Sequence, residues 1–163
     1  MTALRWLRSA LFAFLVFAGM GVLGITFSPF ALFSRKAALF ACKVFWVWTR
    51  WLAVWLVGIR TEVRGTVPTG EVLIASKHQS FLDVILIFHA VPHAKFIMKK
   101  ELLWAPFLGL YARRVGCIPI DRKKRGTAVA RMVKEVAAGQ DNPGQLIIYP
   151  QGTPVAPGEP LPY

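Results

Sequence analysis

Residues 1–61 contain no aspartate or glutamate, and residues 9–34 within them carry no charge of either sign. An uncharged, mostly aliphatic and aromatic stretch of that length is enough for a helix to cross a hydrocarbon layer of roughly 30 Å. The first third of the chain is therefore suited to lipid. Pro29 and the glycines Gly19, Gly21 and Gly24 interrupt the stretch, so a kink or re-entrant turn fits it as well as a straight span does. Residues 37–59 are of another kind. Lys36, Lys43 and Arg50 recur every seven residues, which on a helix sets them in one cationic stripe, with Phe45, Trp48, Leu52 and Leu56 towards the other side. Such a helix suits the membrane interface, charges near lipid phosphates and aromatics in the headgroup boundary. Both ends of the first stretch are positive, so the positive-inside rule gives no clean single crossing. Two arrangements stay open: a two-helix anchor entering from the cytoplasmic side, which the charge pattern favours, and a true transmembrane span followed by a surface helix.

The whole chain of 163 residues carries a formal net charge of +12 on a composition that is 55% hydrophobic. A basic, apolar chain pairs with nucleic acid or with an anionic membrane surface. The distribution favours the membrane, because the run at 123–125 lacks interleaved aromatics and no nucleic-acid-binding motif accompanies it. Cys42 and Cys117 form neither a disulfide framework nor a metal spacing, and His89 and His93 have Pro92 between them and no third ligand behind them. No metal site is expected.

After Gly58 the composition becomes that of a soluble domain. Apolar runs at 59–63, 72–75, 95–98, 117–120 and 146–149 read as strands, and 81–90, 100–113 and 127–138 as helices. The alternation predicts an α/β sandwich with a largely parallel sheet over residues 58–163, preceded by anchoring helices over residues 1–57.

Within that domain, VLIASKHQSFLDVILIF (72–88) reads as strand, tight turn and helix. His78 falls in the turn, held on both sides by regular elements. Asp83, in the first helical turn, is favoured by the helix dipole and lies within reach of the imidazole, a spacing that suits a base and its orienting acid. From spacing alone a second role is favoured: Ser80 and Asp83 stand in the S-x-x-D relation of a capping box, in which the carboxylate satisfies backbone N–H groups.

KHQSFLD (77–83) resembles the H-x-x-x-x-D signature of the glycerolipid acyltransferases, the 1-acyl-sn-glycerol-3-phosphate acyltransferase family, and three further blocks follow in order. KKELLWAPFLG (99–109) is similar to the family's K-x-E-L…P…G block, GCIPIDRKKRG (116–126) to its G-x-x-x-I-D-R block, and YPQGTP (149–154) occupies the place of F-P-E-G-T-R. In the last, Gly152 and Thr153 match, while Gln151 stands for the acid and Pro154 for the arginine. Proline has no side-chain donor to replace a guanidinium, which weakens phosphate binding at that position. The resemblance covers residues 58–155.

The resemblance implies transfer of an acyl chain from acyl-coenzyme A or acyl-carrier protein to the free hydroxyl of a lysophosphatidic acid in the membrane, with His78 as base, Asp83 orienting it, and Lys99, Arg122, Gly152 and Thr153 binding substrate. It implies no cofactor beyond the thioester co-substrate, and a place on the cytoplasmic side of the plasma membrane. Because relatives continue with further strands, it also implies a C-terminally truncated copy. Two other classes compete: a lipid-binding protein of the same fold without catalysis, and a serine hydrolase, for which the G-x-S-x-G elbow is missing.

Overall fold

A computed structural model describes residues 2–121 and 144–152, together with 133, 134, 137 and 158. The chain divides into two units, Met1–Gly65 and Thr66–Tyr163.

In the first unit, helix α1 spans Thr2–Phe33 and helix α2 Arg35–Leu52. Both are long and apolar enough to cross a membrane. α1 is continuous helix through Pro29, with no re-entrant turn. The break falls instead at Ser34, which is extended and whose hydroxyl accepts from the Ala37 N–H to cap α2. The two helices then run antiparallel. Phe27 meets Phe40 edge to face with ring centroids 5.7 Å apart, the Trp48 indole donates to the Leu15 carbonyl at 3.2 Å, and Arg8 reaches the Trp55 carbonyl at 3.3 Å. Gly19 makes the close approach possible, since a Cβ there would lie 2.3 Å from Trp48 Nε1. Lys36, Lys43 and Arg50 all face outwards, while Ala38, Ala41, Trp46, Thr49 and Leu52 are buried. The outer face of α1 is apolar, with Phe14, Phe17, Val22, Ile25 and Phe30 exposed. α2 ends in a π-helical turn, Ala53–Val57, closed by Gly58 at φ +75°, a left-handed position that favours glycine.

The second unit is α/β. Its described strands are β1 (Val72–Ala75), β2 (Ala94–Lys99), β3 (Ile118–Ile120) and β4 (Gln145–Ile148). They lie in the order β1-β4-β2-β3, and every pairing is parallel. Residues 59–63, expected to be a strand, form none; they have no regular secondary structure and lie next to the division between the units. Helix α3 (Phe81–Ala90) occupies the expected range and stops where Val91, preceding Pro92, turns extended. The expected helix over 100–113 is instead two pieces. A 3₁₀ turn, Lys100–Trp104, precedes helix α4 (Leu108–Val115), because Pro106 cannot donate a helical hydrogen bond and Phe107 takes φ +60°. Gly109 allows this fold-back: a Cβ there would sit 1.9 Å from the Leu103 carbonyl oxygen. The helix expected over 127–138 lies outside the described residues.

The core joins Val91, Ala94, Phe96, Ile147 and Tyr149, with Val67, Ile74, Val84, Ile87, Phe88 and Cys117 packed on it. One buried polar side chain ties it together. Gln145, fully buried at the start of β4, accepts from the His93 N–H and donates to the Gly70 carbonyl, both at 2.8 Å. These loops lead into β2 and β1, the two neighbours of β4. Gln145→Leu would strand a buried donor and a buried acceptor, so we expect the unfolding free energy to fall by about 2–4 kcal/mol in urea titration. An unchanged midpoint would show that water reaches both groups.

Candidate active site

In a parallel sheet, all strand ends of one kind fall along one edge, and the loops leaving the C-terminal ends meet there. β1 and β4 are neighbours with Ala75 level with Ile148, so the loop 76–80 and the turn 149–152 emerge side by side. The Ser76 N–H continues the ladder by donating to the Ile148 carbonyl at 3.0 Å. The turn is closed by the Gly152 N–H on the Tyr149 carbonyl at 2.9 Å, with Gly152 at φ +74°. That conformation is the structural requirement for glycine at 152.

His78 Nδ1 lies 3.0 Å from Asp83 Oδ1 and 3.2 Å from Oδ2. The carboxylate can only accept, so Nδ1 carries the proton and Nε2 keeps its lone pair. The two side chains are 17% and 19% exposed, half-enclosed yet open to a substrate. Asp83 also caps α3: its Oδ2 accepts from the Gln79 and Ser80 N–H groups at 2.6 and 2.8 Å, while Ser80 Oγ accepts from Leu82 N–H. The two roles open in the sequence are thus held together by one carboxylate. The helix start fixes the acid, and the acid fixes the ring.

Two supports come from the far side of the chain. Gln151, 9% exposed, accepts the His78 backbone N–H on Oε1 at 2.8 Å across 73 residues of sequence. Because Oε1 faces a donor, the amide orientation is set, and Nε2 is a buried donor with no partner among the described residues. The Tyr149 ring stacks on the imidazole, centroids 4.2 Å apart and planes 23° apart. Sequence reasoning gave neither residue a place beside the base; the only signal was their position in the YPQGT block.

Of the other expected site residues, Gly152 lies in this turn, while Arg122, Thr153 and Pro154 lie outside the described residues. Lys99 ends β2 with its side chain exposed. Phe96 pairs with Ile147, and continuing that register three residues sets Lys99 level with Pro150, on the same edge as the turn. Cys117 is half-buried, and desolvation pushes its thiol up to about 11 against a smaller opposing effect of a backbone hydrogen bond at Phe96. At neutral pH it holds no thiolate to act as a nucleophile.

A parallel α/β sheet whose C-terminal edge presents an oriented imidazole is a scaffold for base-assisted group transfer. Residues 59–163 match the model of the Acyltransferase family, and the chain belongs to that family. It is 36% identical over 113 residues to the 1-acyl-sn-glycerol-3-phosphate acyltransferase alpha of Ovis aries, covering 67% of this chain and 39% of that protein. It is also 28% identical over 167 aligned positions to the 1-acyl-sn-glycerol-3-phosphate acyltransferase of Pseudomonas aeruginosa, covering 98% of this chain and 63% of that one. The crystal structure of the 1-acyl-sn-glycerophosphate (LPA) acyltransferase PlsC from Thermotoga maritima superposes with a TM-score of 0.73 at 23% identity, over 95% of this chain and 65% of that one. That likeness establishes the fold. The chain spans 39% to 63% of the length of the two sequence relatives.

Proposed function

We propose that the protein transfers a fatty acyl chain from a thioester, acyl-coenzyme A or acyl-carrier protein, to the free hydroxyl of 1-acyl-sn-glycerol-3-phosphate, giving phosphatidic acid. The observation that carries the reading is the His78–Asp83 pair at 3.0 Å, with His78 Nε2 left as a base at the sheet edge. Nε2 takes the hydroxyl proton as the oxygen attacks the thioester carbonyl carbon; the C–S bond then breaks and the imidazolium returns the proton to the departing thiolate. Asp83 keeps the ring in the right tautomer and stabilises its charged form. Lys99, Arg122, Gly152 and Thr153 bind the acceptor phosphate and its neighbourhood. The reaction uses no metal and no cofactor beyond the thioester. The α1–α2 hairpin, with its outward Lys36, Lys43 and Arg50, holds the domain at an anionic surface, the cytoplasmic face of the plasma membrane, where the insoluble acceptor is found.

Purified protein in lipid vesicles, given an acyl thioester and lysophosphatidic acid, is expected to yield phosphatidic acid and free thiol in equal amounts. Lysolipid binding without product would favour the second reading, a lipid-binding protein of this fold, which Pro154 in the arginine position supports.

A further inference from the structure

Four aromatic rings form a column from the core to the base. Phe88 stacks on Phe96 with centroids 6.4 Å apart, Phe96 on Tyr149 at 6.2 Å, and Tyr149 on His78 at 4.2 Å, with interplanar angles between 14° and 23°. The imidazole is its outermost member. Tyr149 is itself 9% exposed, and its Oη is buried without a well-formed hydrogen bond to any described residue, a state that ordinarily needs an explanation. Burial holds the phenol above its usual range, and the nearby Asp83 carboxylate pushes it further the same way. The hydroxyl is therefore neutral and near enough to Asp83 for the carboxylate to act on it, without the geometry of a formed hydrogen bond. Asp83 Oδ2 is occupied by the Gln79 and Ser80 N–H groups, whereas Oδ1 accepts from His78 Nδ1 and has a second lone pair.

We propose that Tyr149 is the positioning residue of the His78 base: its ring fixes the imidazole plane, and its hydroxyl is a reserve donor to Asp83 that limits how strongly the carboxylate holds the imidazolium. The ring's negative π-face favours the charged imidazole lying on it. The O–H dipole, turned towards Asp83, withdraws charge from the carboxylate and opposes this. The ring and the hydroxyl thus push in opposite directions. Among the described residues, the titratable groups in contact with the imidazole are Asp83 from α3 and Tyr149 from the end of β4; Lys77, its chain neighbour, is exposed. The inference rests on His78 being the base of the proposed reaction, but its test need not.

The chain has three histidines, so the His78 ring signals can be assigned in NMR spectra of the full protein in bicelles by comparison with His78→Gln. Tyr149→Phe, which removes one oxygen and keeps the stack, is expected to move the His78 titration midpoint up by roughly 0.3–0.5 of a pH unit. Tyr149→Leu, which removes the ring too, is expected to bring the midpoint below that of Tyr149→Phe. In the acyl-transfer assay, the acidic limb of kcat/KM should follow the same order, and Tyr149→Leu should also lose about tenfold at the plateau as the base loses its orientation. A Tyr149→Phe midpoint equal to that of the parent would overturn the hydroxyl's role, and a Tyr149→Leu midpoint level with or above it would overturn the ring's. If Tyr149→Leu fails to fold, Tyr149→Phe alone decides the hydroxyl, and Tyr149→Trp, which retains an aromatic face, should keep the ring effect that a purely steric filler would lose. An absence of acyl transfer in the parent protein would count against the proposed function, while the titration would still judge Tyr149.

Discussion

His78→Ala is expected to lower acyl transfer by about 10²–10⁴-fold or more, because it removes the group that takes the acceptor's proton. Little else should change. The imidazole makes no contribution to the capping of α3, which rests on Asp83 Oδ2 and Ser80 Oγ. The backbone N–H that Gln151 receives is kept by any non-proline residue at 78. Thermal midpoint and vesicle binding should therefore stay close to those of the parent protein while turnover collapses. Turnover within a few-fold of the parent would rule out His78 as the base and shift attention to the lipid-binding reading.

Substitutions at Asp83 separate the two roles joined in its carboxylate. Asparagine keeps one acceptor for the Gln79 and Ser80 N–H groups. Its NH₂ then faces His78 Nδ1, which must accept, so the ring proton moves to Nε2 and the base is lost. Asp83→Asn is expected to cost about 10⁴-fold in kcat and only a few tenths of a kcal/mol in stability, mainly from the lost charge at the helix start. Asp83→Ala abolishes the cap as well and should lower stability by about 1–2 kcal/mol in addition to the catalytic loss. The comparison needs kcat and a urea midpoint for each variant. Equal stability losses in the two would show that the cap is redundant, and an active Asp83→Asn would show that the ring tautomer is set by something other than this carboxylate.

The parts of the structure legible in the sequence are those decided by local chemistry. α3 has its expected bounds because Ser80 and Asp83 cap its start and Val91-Pro92 ends it, signals within a single short stretch. His78 and Asp83 are five residues apart on a turn and the helix it enters, so their contact also follows from spacing. By contrast, residues 59–63 have the pattern of a strand and no ladder to join, since pairing depends on what lies beside them. Over 100–113 the apolar period suggested one helix, but Pro106 and the Leu103–Gly109 contact divide it. Tyr149 and Gln151 were illegible for a different reason. They reach His78 only because β4 lies next to β1, a neighbour relation no local pattern encodes.

That strand order has a consequence for how the molecule is made. β1 and β2, consecutive in the chain, do not pair; β4 lies between them and hydrogen-bonds to both. Until residues 145–148 have been synthesised, the sheet has a gap one strand wide, and β1 has no described partner at all. The helical hairpin is different, since α1 and α2 are joined through Ser34 and pair with near neighbours in sequence. Contacts of low sequence separation form early, and a sheet bridged by a strand distant in sequence forms late. During synthesis the helical hairpin is therefore expected to form before the α/β unit does. β4 brings Tyr149 and Gln151 to a His–Asp pair whose own two members lie within six residues of each other, so the site is assembled only when β4 joins the sheet.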